Sequence, residues 1–359
     1  MSKQDKKQSA QNHEPGSGGV SRRRFLGGVG AGVGGAIGAA AVGTSGAILA
    51  APHVIYAAPA TNFGRIFPDL PPFQPANDQV RAAMRAVGAP GGIMDAKDAL
   101  DAPNAPVALI ADPALRVNNP DNDTHTAGTT FFGQFMDHDM TFDTTSVLGV
   151  PTDPAATRNN RVPVFDLDSV YLGGPTGSPH LYNPQDRAKL LIETAAPGSP
   201  IEDLPRQPNG TAIIGDPRND ENLMIAGIHA AVIRFHNNMV DKIRAEKGDN
   251  QANFNATFPG AKQQTLLHYQ WLILNEFLPL FIGQPLVDNI RSAGPKFYNP
   301  PRDSAFMPVE FQGAAYRFGH SMVRPSYRAN LTGQPAGKPN APQFFGLIFD
   351  PNLGDTPGD

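Results

Sequence analysis

The chain lacks cysteine altogether, and that absence removes disulfide frameworks, thiolate zinc sites, cysteine-held iron–sulfur clusters, thiolate-ligated haem and cysteine nucleophiles at once. Any metal it holds must sit on nitrogen or oxygen. It also lacks an excess of positive charge: Lys and Arg number 29 against 33 Asp and Glu, a formal net charge of -4. That balance gives no broad cationic field, so nucleic acid is not an expected partner. A histidine zinc site is missing too: there is no His-Glu-x-x-His, and His229 and His236 stand about two helical turns apart, too far for one ion. Strand-like alternation is confined to short pieces, and no internal repeat is present. The 359 residues do contain 40% hydrophobic side chains, enough for a large core, together with 37 glycines and 36 prolines. The last two imply long turns and loops that something other than regular structure must hold. A buried prosthetic group would do so.

Residues 1–60 read as an address. A polar stretch leads into Ser21-Arg22-Arg23-Arg24-Phe25-Leu26, and from Gly27 to Gly64 there is no acidic or basic side chain except His53. A basic start, a mildly apolar middle and small residues near a cleavage point are what a secretory signal needs. The pattern resembles the twin-arginine export signal, with Arg22 and Arg23 as the pair. A membrane anchor is the competing reading, since the run exceeds the roughly 20 residues that span a bilayer. Its glycines weigh against that, each weakening a helix by about 1 kcal/mol relative to alanine. Cleavage after Ala50 or near Ala58 to Ala60 leaves a mature chain of about 300 residues. The expectation is export to the periplasm or beyond by the twin-arginine machinery, with no stable membrane span after cleavage.

Residues 61–125 are rich in Pro, Asn and Asp and read as an irregular arm with one helical piece around Asn77 to Val87. Residues 126–359 form the core. Helices are expected from about Thr126 to Thr141, from Asn219 through Val240, from about Ala261 to Phe281, and from about Val309 to Val323, stopped by Pro325. Residues 142–182 carry Pro and Gly at short intervals and read as an ordered loop. The class is mainly α, a helical core with long ordered loops.

Chemistry concentrates in Phe132-Gly133-Gln134-Phe135-Met136-Asp137-His138-Asp139. On a helix, Gln134 and His138 lie about 40° apart around the axis and Asp137 about 60° to the other side of Gln134, so the three share a face. Asp139 is rotated about 100° past His138 and meets a different neighbour. Three ionisable groups in an apolar run are costly to bury without compensation.

This run resembles the distal helix of the animal-type haem peroxidases, the peroxidase-cyclooxygenase superfamily, and four further segments match that family in order. The resemblance implies haem b as cofactor, with Gln134 and His138 above it, Asp137 esterified to it and Asp139 bound to calcium. Asp166-Leu167-Asp168-Ser169-Val170-Tyr171 is similar to the calcium loop, which implies carboxylates from Asp166 and Asp168 and a carbonyl from Val164. Where the family has a threonine ligand this chain has Val162, which offers only its backbone oxygen. Gly215 to Glu221 resembles the catalytic arginine segment, implying Arg218 as the catalytic cation and Glu221 as the second haem ester. The methionine that some members use for a third, sulfonium link is Asn222 here, so that bond is excluded. His268 to Pro279 is similar to a helix that buttresses the core. Tyr316-Arg317-Phe318-Gly319-His320 resembles the segment of the proximal ligand, implying His320 on the haem iron.

The chemistry of peroxide cleavage suits these types. A neutral imidazole takes a proton from one peroxide oxygen and returns it to the other, the role implied for His138. A permanent cation, Arg218, stabilises the developing negative charge. Gln134 can hold a water or halide. His229, His236 and His268 read as hydrogen-bonded core residues, and Arg317 and Arg324 as partners of haem propionates or local acids. The expected activity is an exported peroxidase that reduces hydrogen peroxide while oxidising a halide, thiocyanate or small phenol. A fatty-acid dioxygenase of the same superfamily is the alternative, disfavoured because Arg317 stands where its radical tyrosine would be. A catalytically incomplete haem-binding or interaction protein is the third. Its basis is that the chain stops at Asp359, 39 residues past His320, where family domains continue with helices that include an asparagine bonding the proximal histidine. Asn330 is too close in sequence for that part, so the core is expected to be C-terminally incomplete.

Overall fold

The structure, a computed structural model, describes residues 61–95, 97, 114, 117, 122, 124–147, 157–194, 202–247, 254–298, 300 and 305–323. The export signal, Arg324 and Asn330 lie outside the described residues.

Helices dominate. Helix α1 is Asp78–Gly88, started by Asn77, whose side chain accepts the Val80 N–H at 2.9 Å. Helix α2 is Ala127–Met140 and carries the Gln-x-x-Asp-His-Asp run. Residues 142–182, expected as an ordered loop, contain two single turns, α3 (Asp168–Tyr171) and α4 (Gly174–Gly177). Helix α5 is Leu223–Lys247, preceded by a separate 3-10 turn at Pro217–Asp220. The expected single helix from Asn219 is broken here because Asn222 acts as a cap, its side-chain oxygen accepting the Ile225 N–H at 3.0 Å. Helix α6 is Phe254–Leu272, and it runs on through a π-helical turn (Ile273–Phe277) into α7 (Leu278–Ile282). It begins seven residues before the expected Ala261 and tolerates Pro259 inside. Helix α8 is Gln284–Ala293.

The expected helix over Val309–Val323 is the clearest departure: the chain makes a π-helical turn at Phe311–Ala315 and then a 3-10 helix at Tyr316–Met322. Two side chains explain it. Arg317 Nε donates to the Gln312 carbonyl at 3.1 Å, an acceptor that an α-helix would use, and Gln312 Nε2 reaches across to Asp137. Strands are two-residue pieces: β1 (Thr61–Asn62) pairs antiparallel with β2 (Arg158–Asn159), and β3 (Glu193–Thr194) with β4 (Glu202–Asp203).

The core sits where α2, α5 and α6 meet. Helix α5 buries Ile225, Ala226, His229, Ala230, Ile233, His236 and Val240, a stripe at helical spacing. Phe135 of α2 is fully buried and meets His229 and Tyr269 edge-on, both with centroids 6.1 Å away. Burial of a side chain of this size stabilises by ~1.5–3 kcal/mol, and it presses the back of α2 into the protein. The Gln134–His138 face is thereby turned to a cavity. Gly133 makes the approach of the last segment possible: a Cβ there would stand 3.3 Å from the Phe277 ring, and its carbonyl accepts the Tyr316 hydroxyl at 2.7 Å.

Candidate active site

One cavity of about 560 Å³ is lined by Gln134, Asp137 and His138 from α2, Arg218 and Glu221 from the 3-10 turn and its end, and His320 from the Tyr316–Met322 helix. Three segments far apart in sequence thus converge on one space. A second cavity, about 260 Å³, shares Gln134, Asp137, Arg317 and His320 with the first and is walled by aromatic side chains that include Phe277, Phe281 and Phe311. Both fall near the roughly 300–1,000 Å³ typical of cofactor sites, where apolar walls and a few convergent polar groups are the rule.

His138 is 4% exposed. Its Nδ1 lies 2.9 Å from Asn219 Oδ1, and an amide oxygen can only accept, so Nδ1 carries the proton and Nε2 holds the lone pair. Nε2 stands 3.6 Å from Glu221 Oε1 at the cavity. Asn219 is fully buried, and its amide nitrogen donates to His229 Nδ1 at 3.0 Å. Burial, reinforced by the Arg218 guanidinium, holds the His138 imidazole below its ordinary value, and burial pushes His229 down to about 4. The neutral base form is therefore favoured at neutral pH.

Arg218 is anchored rather than free. Its Nε donates to Asp216 Oδ1 at 3.0 Å and Nη2 to Asp216 Oδ2 at 2.8 Å. Nη2 also reaches the His138 carbonyl at 3.2 Å and the Thr141 carbonyl, and the guanidinium lies 4.7 Å from the Phe142 ring centroid. Burial pushes the Asp216 carboxyl up, but Arg218 and Arg161 outweigh it and hold it below its usual range. Gln134 donates to Glu221 and accepts from Asn222 Nδ2 at 3.3 Å, which fixes its amide. Asp137 Oδ1 accepts Gln312 Nε2 at 2.9 Å. Gln312 Oε1 is buried at the cavity wall with no hydrogen-bond partner among the described residues, a polar atom awaiting a ligand. A flat macrocycle with polar edges fits this donor set: an imidazole at His320 for its metal, carboxylates at Asp137 and Glu221 for its rim, and aromatic walls for its faces.

Asp139 turns away as the helical geometry requires. Its carboxylate accepts Leu167 N–H at 3.0 Å and Ser169 N–H at 3.4 Å, so it holds the loop at 166–169 rather than lining the cavity. Of the five residues that the resemblance assigns to calcium, Asp139 is joined in this way to the segment that carries Val162, Val164, Asp166 and Asp168. Among the described residues no three acidic or histidine side chains converge on a metal position. His236 and His268 are core residues: His236 lies between the Tyr171 hydroxyl and the Ala188 carbonyl, each at 2.9 Å, and His268 bonds the Gln264 carbonyl at 2.7 Å. Sequence reasoning missed Asn219, Asp216 and Gln312. Only Asp216 gave a signal, as the acid two residues before Arg218.

Residues 153–352 match the animal haem peroxidase family. That span contains Arg218, Glu221 and His320 and begins after α2, so Gln134 and His138 are tied to them by the shared cavity. Among similar proteins, the probable oxidoreductase PXDNL of Homo sapiens is 28% identical over 141 residues, 39% of this chain and 9% of that protein. Heme peroxidase 2 of Caenorhabditis elegans is 27% identical over 129 residues, 34% of this chain and 18% of that protein. Peroxidase A from Dictyostelium discoideum aligns in structure with a TM-score of 0.47 and 16% identity, over 66% of this chain and 54% of that one. The chain spans less than a fifth of the length of the two curated relatives. With more than half of its residues covered by the family match, the chain belongs to the animal haem peroxidase family.

Proposed function

We propose that the chain is an exported haem peroxidase that reduces hydrogen peroxide and oxidises a small donor, a halide, thiocyanate or phenol. The observation that carries this reading is the convergence of His138, Arg218 and His320 on one cavity. Haem bound there would supply the iron that binds peroxide and accepts its oxidising equivalents.

The chain's own residues do the rest. His320 would hold the iron, and Asp137 and Glu221 would hold the haem rim, as esters if the linkage forms. With Nδ1–H committed to Asn219, His138 presents Nε2 as a base, takes the proton from one peroxide oxygen and returns it to the leaving one. Arg218, held by Asp216, keeps a fixed positive charge at the cavity without needing to reorganise during the reaction. Gln134, fixed by Asn222, directs its amide to the same space. Arg317 lines the cavity at the position of the dioxygenase tyrosine, which favours the peroxidase over the dioxygenase reading. Export is supported by Arg22-Arg23 and the uncharged stretch that follows. Among the described residues no helix is long and apolar enough to cross a membrane.

The test is reconstitution of the purified chain with haem b. A Soret band and peroxide-dependent oxidation of a phenolic dye are expected. His138→Ala should abolish turnover and keep the band, and His320→Ala should shift or lose the band. A fully active His138→Ala variant overturns the acid–base role. Bromide oxidation measured against phenol oxidation identifies the donor class, and Arg22→Lys with Arg23→Lys should retain the precursor inside the cell.

A further inference from the structure

We propose that His229, a buried residue of α5 absent from the walls of both cavities, is a positioning residue for His138: the side-chain amide of Asn219 holds the two imidazoles in opposite tautomers, and His229 thereby keeps the lone pair of His138 on the cavity side. Its effect on rate rests on the base role proposed above for His138. The coupling itself is hydrogen-bond geometry.

Three segments meet at Asn219. It sits in the 3-10 turn Pro217–Asp220, its backbone N–H bonded to the Asp216 carbonyl at 3.0 Å, between His138 of α2 and His229 of α5. Its Oδ1 stands 2.9 Å from His138 Nδ1, and its Nδ2 stands 3.0 Å from His229 Nδ1. All three side chains are buried, where an unpaired polar group is costly.

A primary amide has one end that only accepts and one end that only donates, and a neutral imidazole carries its N–H on one nitrogen or the other. An amide bridging two Nδ1 atoms therefore demands an N–H at one of them and a lone pair at the other. With the oxygen toward α2, His138 is Nδ1–H and His229 is Nε2–H. Turning the amide end over end reverses both rings at once: His138 becomes Nε2–H, its lone pair faces Asn219 and none is left for the cavity. Two rings in the same tautomer would set donor against donor or acceptor against acceptor. Only the first arrangement makes His138 a base toward the cavity.

The surroundings show why His229 is needed to hold that arrangement. Glu221 Oε1 stands 3.6 Å from His138 Nε2, and a carboxylate there favours a proton on that nitrogen, so the cavity by itself draws His138 toward the wrong tautomer. The Asn219 amide opposes this, and it stays oxygen-first because its N–H end has an acceptor in His229 Nδ1. Burial, against a smaller opposite pull from Asp216, holds His229 down to about 4, so a proton does not take that lone pair at neutral pH. The ring is also fixed in place: Phe135, about one turn before His138 on α2, meets it edge-on, with centroids 6.1 Å apart and planes at 88°. Without the His229 acceptor a buried N–H would be orphaned, a rarer condition in folded proteins than an under-satisfied oxygen, and the amide would turn over.

The test reads the tautomers in the full chain and needs neither haem nor turnover. With isotope-labelled histidine, long-range proton–nitrogen correlation spectra distinguish Nδ1–H from Nε2–H, and the signals lost in His138→Gln and in His229→Leu assign the two rings. The wild type should show His138 as Nδ1–H and His229 as Nε2–H. In His229→Leu the His138 signals should change to the Nε2–H pattern, and with haem bound the reaction with peroxide should slow by ~10-fold or more. Two rings sharing one tautomer in the wild type overturn the proposal, as do the reversed pair and a His138 pattern unaltered in His229→Leu. A tautomer that switches while the rate stays the same would support the coupling and overturn the base role of His138 instead. If His229→Leu does not accumulate, His229→Gln serves for assignment and the wild-type tautomers decide.

Discussion

His138 Nδ1 and Asn219 Oδ1 lie 2.9 Å apart, both buried, and this contact sets which nitrogen of the imidazole faces the cavity. Asn219→Leu keeps the volume and removes the acceptor, so the ring is free to take the wrong tautomer. The rate of reaction with peroxide, followed by stopped-flow absorbance, should fall by ~10–100-fold with the Soret band retained. Asn219→Asp tests the electrostatics. An anion beside the ring favours its protonated form, so the acid limb of the peroxide rate, which in the wild type lies below the ordinary histidine value, should move to higher pH. Identical pH profiles in all three proteins would remove Asn219 from the mechanism.

Arg218→Lys should separate charge from geometry. Lysine keeps the cation and loses the two-pronged contact with Asp216 and the link to the His138 carbonyl. The peroxide step should slow by ~100-fold. The Tm should drop too, because Asp216, 0% exposed, then keeps only the single Nη2 contact of Arg161 from a guanidinium. A rate within a few-fold of wild type would mean that charge alone suffices.

The legible part of this site was the part written locally. Gln134, Asp137 and His138 are brought to one face by helical arithmetic, and Asp139 is sent to another, as the structure has it. Asn219 was illegible because its role depends on a side-chain contact with a residue 81 positions away. The helix expected at Val309–Val323 failed because a tertiary demand, the reach of Gln312 to Asp137, outweighs local propensity.

Two glycines should respond oppositely to alanine. At Gly215 a Cβ would stand 2.5 Å from the Ser169 carbonyl oxygen and 3.0 Å from Leu172, against backbone that cannot yield. Gly215→Ala should cost ~1–3 kcal/mol and loosen the segment that leads to Arg218. At Gly227, exposed on α5, nothing lies within 4 Å of the added carbon. Gly227→Ala should stabilise by ~0.5–1 kcal/mol. Urea unfolding of the two variants gives both signs, and a neutral Gly215→Ala would show that the loop and the arginine segment are not in tight contact.

Acid should destabilise the core through its histidines. Burial holds both His229 and His236 at about 4, while an unfolded histidine titrates near 6.5. The folded state therefore binds fewer protons, and the stability these residues contribute is whole above pH 6.5 and lost as pH falls toward 4. Each accounts for ~3 kcal/mol across that window. His236 is the better probe, being remote from the cavity and bonded at both nitrogens, Nε2–H to the Ala188 carbonyl and Nδ1 to the Tyr171 hydroxyl. In His236→Gln the neutral-pH stability should fall by ~1–3 kcal/mol, while the further loss between pH 6.5 and 4 becomes shallower than in wild type. Denaturant unfolding at stepped pH measures both quantities, and parallel curves for the two proteins would mean that His236 is protonated in the folded state.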